Sequence, residues 1–192
     1  MQEPVGYTGL ARLILISKWS MVTYFMNIKE PSVTTNISDM PFNIVLVEPE
    51  IPPNTGNIAR LCAATGSVLH LVGRLGFSID DKHLKRAGLD YWEHVAMRRW
   101  DTLEELQASA AQGRFFYLST KVARSYLKAG FQPGDFLVFG RETRGLPEEL
   151  LDANPDTCIT IPMPAGAVRS LNLSSSAGIV LYEALRQSGR ID

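Results

Sequence analysis

The sequence has few cysteines and no excess of charge of either sign. Its two cysteines, Cys62 and Cys158, lie in apolar surroundings and form neither a CxxC pair nor a cluster with histidine at ligand spacing. We therefore expect no disulfide framework and no metal site, and a reducing cytoplasm fits this cysteine usage. The net charge of -1 over 192 residues excludes the broad basic field of a protein that coats nucleic acid. Any contact with nucleic acid must therefore be local.

Long uninterrupted hydrophobic runs are also absent. The apolar stretch at residues 7–28 is interrupted by Arg12 and Lys18, and no small-residue cleavage site follows it. This pattern favours neither a membrane span nor a signal peptide. Because a polar linker follows and regular patterning starts only after it, we expect residues 1–39 to be an N-terminal extension outside the fold. The folded domain is then expected at residues 40–192.

Strands and helices alternate along this domain. Short apolar runs predict strands at residues 42–48, 67–73, 114–120, 135–140 and 157–163. Apolar residues at helical spacing predict helices at residues 57–65, 80–88, 101–112 and 172–188. The alternation predicts an α/β fold, with a mostly parallel sheet covered by helices.

Three loops that follow predicted strands share an unusual composition. PEIPPNTGNIAR (49–60), RETRGLP (141–147) and PMPAGAVRSLNLSSS (162–176) are rich in Gly, Pro, Asn, Ser and Arg. Open parallel sheets bind ligands at the carboxyl ends of their strands. We therefore expect the three loops to meet at one edge of the sheet and to form a site there.

Familiar catalytic motifs do not account for these loops. Gly140 and Gly145 have the spacing of a phosphate-binding P-loop, but Leu146 and Pro147 stand where that motif has Lys and Ser or Thr. No GxGxxG follows the first strand, which argues against a dinucleotide site. No GxSxG is present, and the three histidines lie far from the serine cluster in sequence. Nucleoside triphosphatase, dinucleotide-binding and serine hydrolase functions are thus not supported.

The same loops carry a resemblance to a known family. NTGNIAR, FGRETRGLP and IPM followed by RSLNLSSSAGIVLYEALRQ resemble, in this order, the three motifs of the SPOUT superfamily of knotted RNA methyltransferases. The wider runs NIVLVEPEIPPNTGNIARLCAATG and DDKHLKRAGLDYWEHV are similar to one branch, the bacterial tRNA (cytidine(34)-2'-O)-methyltransferases. The resemblance covers about residues 42–189. The sequence departs from the family in the N-terminal extension and in PAGAV, which is about one residue longer.

The resemblance implies a fold and an activity. The fold would be a parallel sheet whose C-terminal segment forms a deep trefoil knot, which periodicity alone would argue against. The protein would be a homodimer that binds S-adenosylmethionine in the knot and methylates the ribose 2'-hydroxyl of the wobble nucleotide in the anticodon region of tRNA. Two alternatives stay open: methylation of another tRNA position or of ribosomal RNA, and a non-catalytic RNA-binding or nucleotide-sensing module.

The resemblance also assigns residues. It implies that the cofactor is bound by Leu118, Gly140, Ile161, Met163, Ser170 and Leu171. It implies that catalysis depends on Arg60, Asn54, Glu142, Ser170 and Asn172. Because an arginine is a poor general base, we expect Arg60 to orient the hydroxyl and stabilise the nascent alkoxide while Glu142 fixes its guanidinium. Alternatively, Asn54 serves only as a helix N-cap. The missing side chain at Gly140 would let the backbone and the ligand approach each other closely.

RNA contact is expected from a charged stretch. DDKHLKRAGLDYWEHV and RRW bring basic and aromatic side chains together, a mixture that suits phosphate contact and base stacking: Lys82, Lys85, Arg86, Tyr91, Trp92, Arg98 and Arg99. A solvated helix face is the alternative. Arg144 could pair with Glu142 or bind a phosphate. We expect Glu48 and Glu50 to be structural, and Ser174 to Ser176 to serve the first turn of the last helix.

Overall fold

The computed structural model describes residues 40–77 and 94–191. Their strands are β1 (Asn43–Val47), β2 (Val68–Val72), β3 (Met97–Trp100), β4 (Phe115–Leu118), β5 (Phe136–Phe139) and β6 (Cys158–Ile159). Their α-helices are α1 (Pro52–Thr65), α2 (Leu103–Ser109), α3 (Glu148–Asp152) and α4 (Leu173–Gln187), and a short 3-10 helix spans Tyr126–Lys128. The predicted extension at 1–39 and the predicted helix at 80–88 lie outside the described residues.

The strands form one parallel sheet in the order β3-β2-β1-β5-β4-β6. In its centre, β1 pairs with β2 from Asn43 opposite Val68 and with β5 from Asn43 opposite Phe136. The predicted α/β fold with a parallel sheet is confirmed. Since the strands are parallel, their carboxyl ends all lie along the same edge, and the loops that follow them open there.

Helices cover both faces of the sheet. On one face α1 and α4 pack against a cluster of buried side chains from β1, β2, β4, β5 and β6. On the other face, α2 and α3 pack on a second cluster that includes Val45, Tyr117 and Val138. The predicted apolar face of α4 is buried within this chain at Ala177, Val180, Leu181, Ala184 and Leu185. Burying one leucine of this kind contributes about 1.5–3 kcal/mol.

Several elements differ from the sequence prediction, among them β6, which spans only Cys158–Ile159 of the predicted strand 157–163. α1 begins at Pro52 and not at residue 57, because proline is tolerated at the first positions of a helix, where its missing N–H has no intrahelical partner. β3 was not predicted, since two exposed arginines on an edge strand hide the apolar alternation. α3 was not predicted, because it is short and acidic and only Leu151 in it is buried.

A buried polar network joins three strands on the face covered by α2. The indole N–H of Trp100 donates to Nδ1 of His70 at 3.0 Å, so Nε2 of His70 carries the proton and donates to Oδ1 of Asn43 at 3.0 Å. The Asn43 amide in turn donates to the Gly134 carbonyl at 3.1 Å. Burial, with the charge of Arg98 as a smaller cause, lowers the pKa of His70 to about 3. The network therefore requires a neutral imidazole.

Among the described residues, no helix has both the length and the apolar character needed to cross a membrane. Within the same residues, histidine, cysteine and carboxylate side chains form no group of three that could hold a metal ion.

Candidate active site

A cavity of about 610 Å³ lies at the carboxyl ends of β4, β5 and β6. All three loops singled out in the sequence contribute to its wall: Ile51 and Asn54 from the first, residues 140–146 from the second, and residues of the segment 163–176 from the third. The predicted meeting of the loops at one sheet edge is therefore observed.

Most of the residues predicted for the site line this cavity. Those that do so are Asn54, Leu118, Gly140, Glu142, Arg144, Ile161, Met163, Ser170, Leu171 and Asn172. Arg60 is exposed on α1 and is not among the lining residues. Lys82, Lys85 and Arg86, predicted to contact RNA, lie outside the described residues. The structure thus brings together ten of the predicted side chains and places Arg60 elsewhere.

The Glu142 carboxylate connects the loop after β5 to the start of α1. Its Oε2 accepts from the Glu50 amide at 2.9 Å, and its Oε1 accepts from the Ile51 amide at 3.3 Å and from Nδ2 of Asn54 at 3.1 Å. Ile51 is the N-cap residue of α1 and its side chain cannot accept a hydrogen bond. An acidic side chain from a distant loop therefore satisfies N–H groups at this helix start, where negative charge is favourable.

Asn54 continues this chain of hydrogen bonds to α4. Its Oδ1 accepts from Nδ2 of Asn172 at 2.9 Å, and Oδ1 of Asn172 accepts from the Ser174 and Ser175 amides at 2.9 and 3.3 Å. Asn172 is thus the N-cap of α4. The expectation that Asn54 caps a helix is wrong, because α1 begins two residues before it. The expected role of the serines in the first turn of α4 is confirmed by the hydroxyl of Ser174, which donates to Asn172 at 2.7 Å.

A second set of contacts joins the same two loops. Oε2 of Glu50 accepts from the amide and the hydroxyl of Thr143, at 3.1 and 2.8 Å, and these bonds lower the pKa of the Glu50 carboxyl. Glu48 forms an ion pair with Arg141. The structural role expected for the two glutamates is therefore observed. Each loop offers a carboxylate to the other, so the two loops are held in one arrangement.

Gly140 is required by the loop itself. A Cβ atom at this position would lie 2.2 Å from the backbone carbon of Gly145, far inside van der Waals contact. The chain returns on itself here, with the Gly145 amide donating to the Arg141 carbonyl at 2.8 Å and Gly145 at a φ of 70°. The tight turn of the loop thus requires the absence of a side chain here. Gly140 also lines the cavity, and close approach of a ligand at this position stays a prediction.

Sequence reasoning missed the loop after β4. Ser119, Thr120 and Lys121 line the cavity, and Lys121 forms an ion pair with Glu148 of α3. Their position directly after a predicted strand was the available signal, since strand ends of a parallel sheet share one edge. Their ordinary composition gave no further sign.

The cavity fits S-adenosylmethionine in size and in chemistry. Its volume lies within the ordinary range for small-molecule sites, about 300–1,000 Å³. Leu118, Phe139, Ile161 and Met163 give it an apolar wall suited to a purine ring, and Asn54, Glu142, Ser170 and Asn172 add polar groups. β4 and β5 end at the cavity, so the loops that follow them bring backbone groups to its wall.

Comparison with known proteins agrees with this geometry. The tRNA (cytidine(34)-2'-O)-methyltransferase of Methylovorus glucosotrophus is 55% identical over 147 residues, 76% of this chain and 95% of that protein. A solved structure described as giving structural insights into the 2-OH methylation of C/U34 on tRNA is 46% identical, with a TM-score of 0.73 over 79% of this chain and 99% of that one.

A more distant solved structure contains the cofactor. The AdoMet-bound rRNA methyltransferase from Sinorhizobium meliloti is 25% identical, with a TM-score of 0.64 over 79% of this chain and 60% of that one. The model of the SpoU rRNA Methylase family matches residues 41–182, which include the six strands of the described residues and the residues that line the cavity. The chain therefore belongs to the SpoU rRNA Methylase family.

Proposed function

We propose that this protein transfers a methyl group from S-adenosylmethionine to the ribose 2'-hydroxyl of nucleotide 34, the wobble nucleotide, of tRNA. The observation that carries the proposal is the cavity in which Glu142, Asn54 and Asn172 are joined by hydrogen bonds at the carboxyl edge of the sheet. The names of the similar proteins, which specify cytidine 34 and C/U34, support this substrate.

The cofactor is proposed to occupy the cavity described above. Leu118, Ile161 and Leu171 would hold it mainly through backbone groups, with Gly140, Met163 and Ser170 around it. When bound, S-adenosylmethionine supplies an electrophilic methyl group on a sulfonium. The chain's own contribution is to hold the hydroxyl in line with that methyl and to shield both from bulk water.

Arg60 is proposed to act on the hydroxyl from the second subunit of a homodimer. Its exposure on α1, outside the residues that line the cavity, supports a role across an interface. An arginine side chain keeps its charge, so it suits orientation of the hydroxyl and stabilisation of negative charge on oxygen better than removal of the proton. The proton would leave to a phosphate or to water as the new C–O bond forms, while the bond from the methyl carbon to the sulfonium sulfur would break and leave S-adenosylhomocysteine.

The remaining features of the proposal follow the family resemblance. The C-terminal segment that supplies the third loop is proposed to form a deep trefoil knot, and the cytoplasm is the proposed compartment. Both described cysteines are free and buried, as expected in reducing conditions.

The test is methyl transfer to defined RNA. Purified protein is incubated with labelled S-adenosylmethionine and tRNA transcripts, and 2'-O-methyl positions are mapped. We expect the label at nucleotide 34, with none on a matched tRNA whose nucleotide 34 carries 2'-deoxyribose. Label at another tRNA position, or on ribosomal RNA alone, would reassign the substrate. RNA binding without transfer would favour the non-catalytic module.

A further inference from the structure

A row of exposed arginines runs along the carboxyl edge of the sheet. Arg99 lies near the end of β3, Arg74 follows β2, and Arg144 follows β5 at the mouth of the cavity; all three side chains are exposed. The net charge of the chain is -1, so this local grouping is not part of a generally basic surface. A local cationic strip needs its own explanation.

Backbone contacts connect the loops that carry these arginines. The Arg99 guanidinium donates to the Gly73 carbonyl at 3.2 Å, one residue before Arg74. The Gly76 amide of the same loop donates to the Pro49 carbonyl at 3.0 Å, and a Cβ on Gly76 would lie 2.9 Å from the Cα of Glu50. The loops after β2 and β1 are therefore in close contact.

The contact continues to the cavity. Glu50 holds Thr143 through two hydrogen bonds, and Thr143 directly precedes Arg144. Arg74 and Arg144 are thus carried by two loops that both contact the loop after β1, and Arg99 of β3 bonds to the loop that carries Arg74. Arg144 also lines the cavity. β3 and β5 are separated by three strand spacings, about 14 Å, which is roughly the axial length of four nucleotides of one strand.

The two neighbouring arginines of β3 point to opposite faces. Side chains alternate along a strand, so Arg99 shares a face with Met97, which packs against the layer of α1 and α4. Arg98 shares the other face with Trp100, on the side of α2. The sequence grouped Arg98 with Arg99 as an expected RNA contact, but in the described contacts only Arg99 reaches the loop after β2. Arg98, on the opposite face, is therefore a control of equal charge on the same strand.

The acidic side chains of these loops already have partners. Glu48 is paired with Arg141, and Glu50 accepts from Thr143. The exposed Asp101 follows β3 and precedes α2. Among the described residues, Arg74 and Arg99 form no ion pair, whereas the carboxylate of Glu50 interacts electrostatically with Arg144. The positive charge that this edge presents to a ligand is therefore mainly that of Arg74 and Arg99.

Resting on the function proposed above, we propose that Arg99, Arg74 and Arg144 form a phosphate-binding track that guides the RNA strand next to the methylated nucleotide into the cavity. A flexible RNA strand offers one negative charge per nucleotide at a spacing that the row can follow. Contacts of this kind position the RNA without reading its sequence. Arg74 and Arg99 are thus substrate-positioning residues and take no part in the transfer of the methyl group.

The test compares Arg74→Ala and Arg99→Ala with Arg98→Ala in the full chain. Binding of substrate tRNA is measured by fluorescence anisotropy at several salt concentrations, and S-adenosylhomocysteine binding is measured by calorimetry. We expect Arg74→Ala and Arg99→Ala each to weaken tRNA binding by about three- to tenfold and to reduce the salt slope by about 0.7. Arg98→Ala should keep the wild-type slope, and all three should keep cofactor affinity.

Steady-state kinetics give the second measurement. KM for tRNA should rise in Arg74→Ala and Arg99→Ala while kcat at saturating tRNA stays near wild type, and Arg99→Lys should restore most of the affinity. Equal weakening by Arg98→Ala, or an unchanged salt slope in the other two variants, would overturn the track. If the wild-type protein methylates no tRNA, the proposed function is wrong. If the wild-type protein methylates tRNA and the arginine variants bind and methylate it equally well, only the phosphate-binding track is wrong.

Discussion

At the scale of single residues, His70 is the described side chain with the clearest consequence for pH. It is buried, it accepts from Trp100, and it donates to Asn43, an arrangement that only the neutral ring can make. Its pKa of about 3 in the folded protein lies below the ordinary value of 6.5. Between these two values the unfolded chain binds a proton that the folded chain does not.

Stability should therefore fall as the pH is lowered from about 6.5 towards 3. One proton corresponds to a slope of up to about 1.4 kcal/mol per pH unit. Urea unfolding between pH 7.5 and 5 should show a steeper loss of stability for wild type than for His70→Gln, whatever the difference between them at pH 7.5. His94→Gln, which replaces an exposed histidine outside this network, is the matched control. Equal slopes for wild type and His70→Gln would contradict the buried neutral ring.

Residue identities were easier to predict than residue contacts. The types and spacing of Asn54, Glu142 and Asn172 pointed to the site because their motifs are local in sequence. Their hydrogen bonds could not be predicted, since Asn54 and Asn172 are 118 residues apart and meet only through the order of the strands. The steric need for glycine at position 140 could not be predicted either, because only the folded loop shows that the backbone of Gly145 occupies the Cβ position.

At the scale of elements, Asn172 serves both as the N-cap of α4 and as part of the candidate active site. Asn172 caps α4 through Oδ1 and binds Asn54 through Nδ2, so two roles can be separated by substitution. Asn172→Ala removes both and should destabilise the protein by about 0.5–2 kcal/mol. Asn172→Asp keeps an acceptor for the cap but cannot donate to Asn54.

We therefore expect Asn172→Asp to unfold near the wild-type temperature and yet to lose most methyl transfer. Thermal unfolding by circular dichroism and a transfer assay on the same samples check this expectation. Ser175→Ala is a suitable control, because it removes an exposed hydroxyl from the first turn of the same helix and leaves the Asn172 side chain in place. A fully active Asn172→Asp protein would show that the bond to Asn54 is dispensable.

Local sequence signals predicted the ends of some helices and strands better than those of others. α4 was predicted within one residue of each end, because its apolar face is continuous and its cap is a strong signal. The start of α1 was missed by five residues because two prolines suggested a loop. β3 was missed because an edge strand needs few apolar residues, and its arginines favoured a solvated face.

At the scale of the whole molecule, the alternation of strands and helices was enough to predict a parallel sheet, and the parallel sheet was enough to bring the loops together. The order of the strands could not be predicted from the sequence, because the position of β5 between β1 and β4 depends on how the two halves of the chain pack together. That order places the first and second loops side by side and allows the Glu142 and Glu50 contacts.

The last prediction concerns assembly and the position of Arg60. If Arg60 acts in the partner's site, the cofactor side and the hydroxyl side of each site belong to different chains. Arg60→Ala should abolish transfer while S-adenosylhomocysteine still binds, because the side chain acts on the hydroxyl and not on the methyl donor. Asn172→Asp, on the cofactor side, should be inactive for the separate reason given above.

Co-expression of these two inactive chains distinguishes the arrangements. In a closed two-fold dimer a mixed pair has one site with both wild-type halves and one site with both lesions, so statistical mixing should restore about a quarter of wild-type activity. If Arg60 served its own chain, every site of the mixed pair would carry one lesion, and activity would stay at the level of the parents. When the mixed dimer is isolated through two different affinity tags, the expected activity per dimer is about half that of wild type, and the transfer assay on this sample separates the two outcomes. Because each parent is inactive alone, restored activity can arise only from a site to which two subunits contribute.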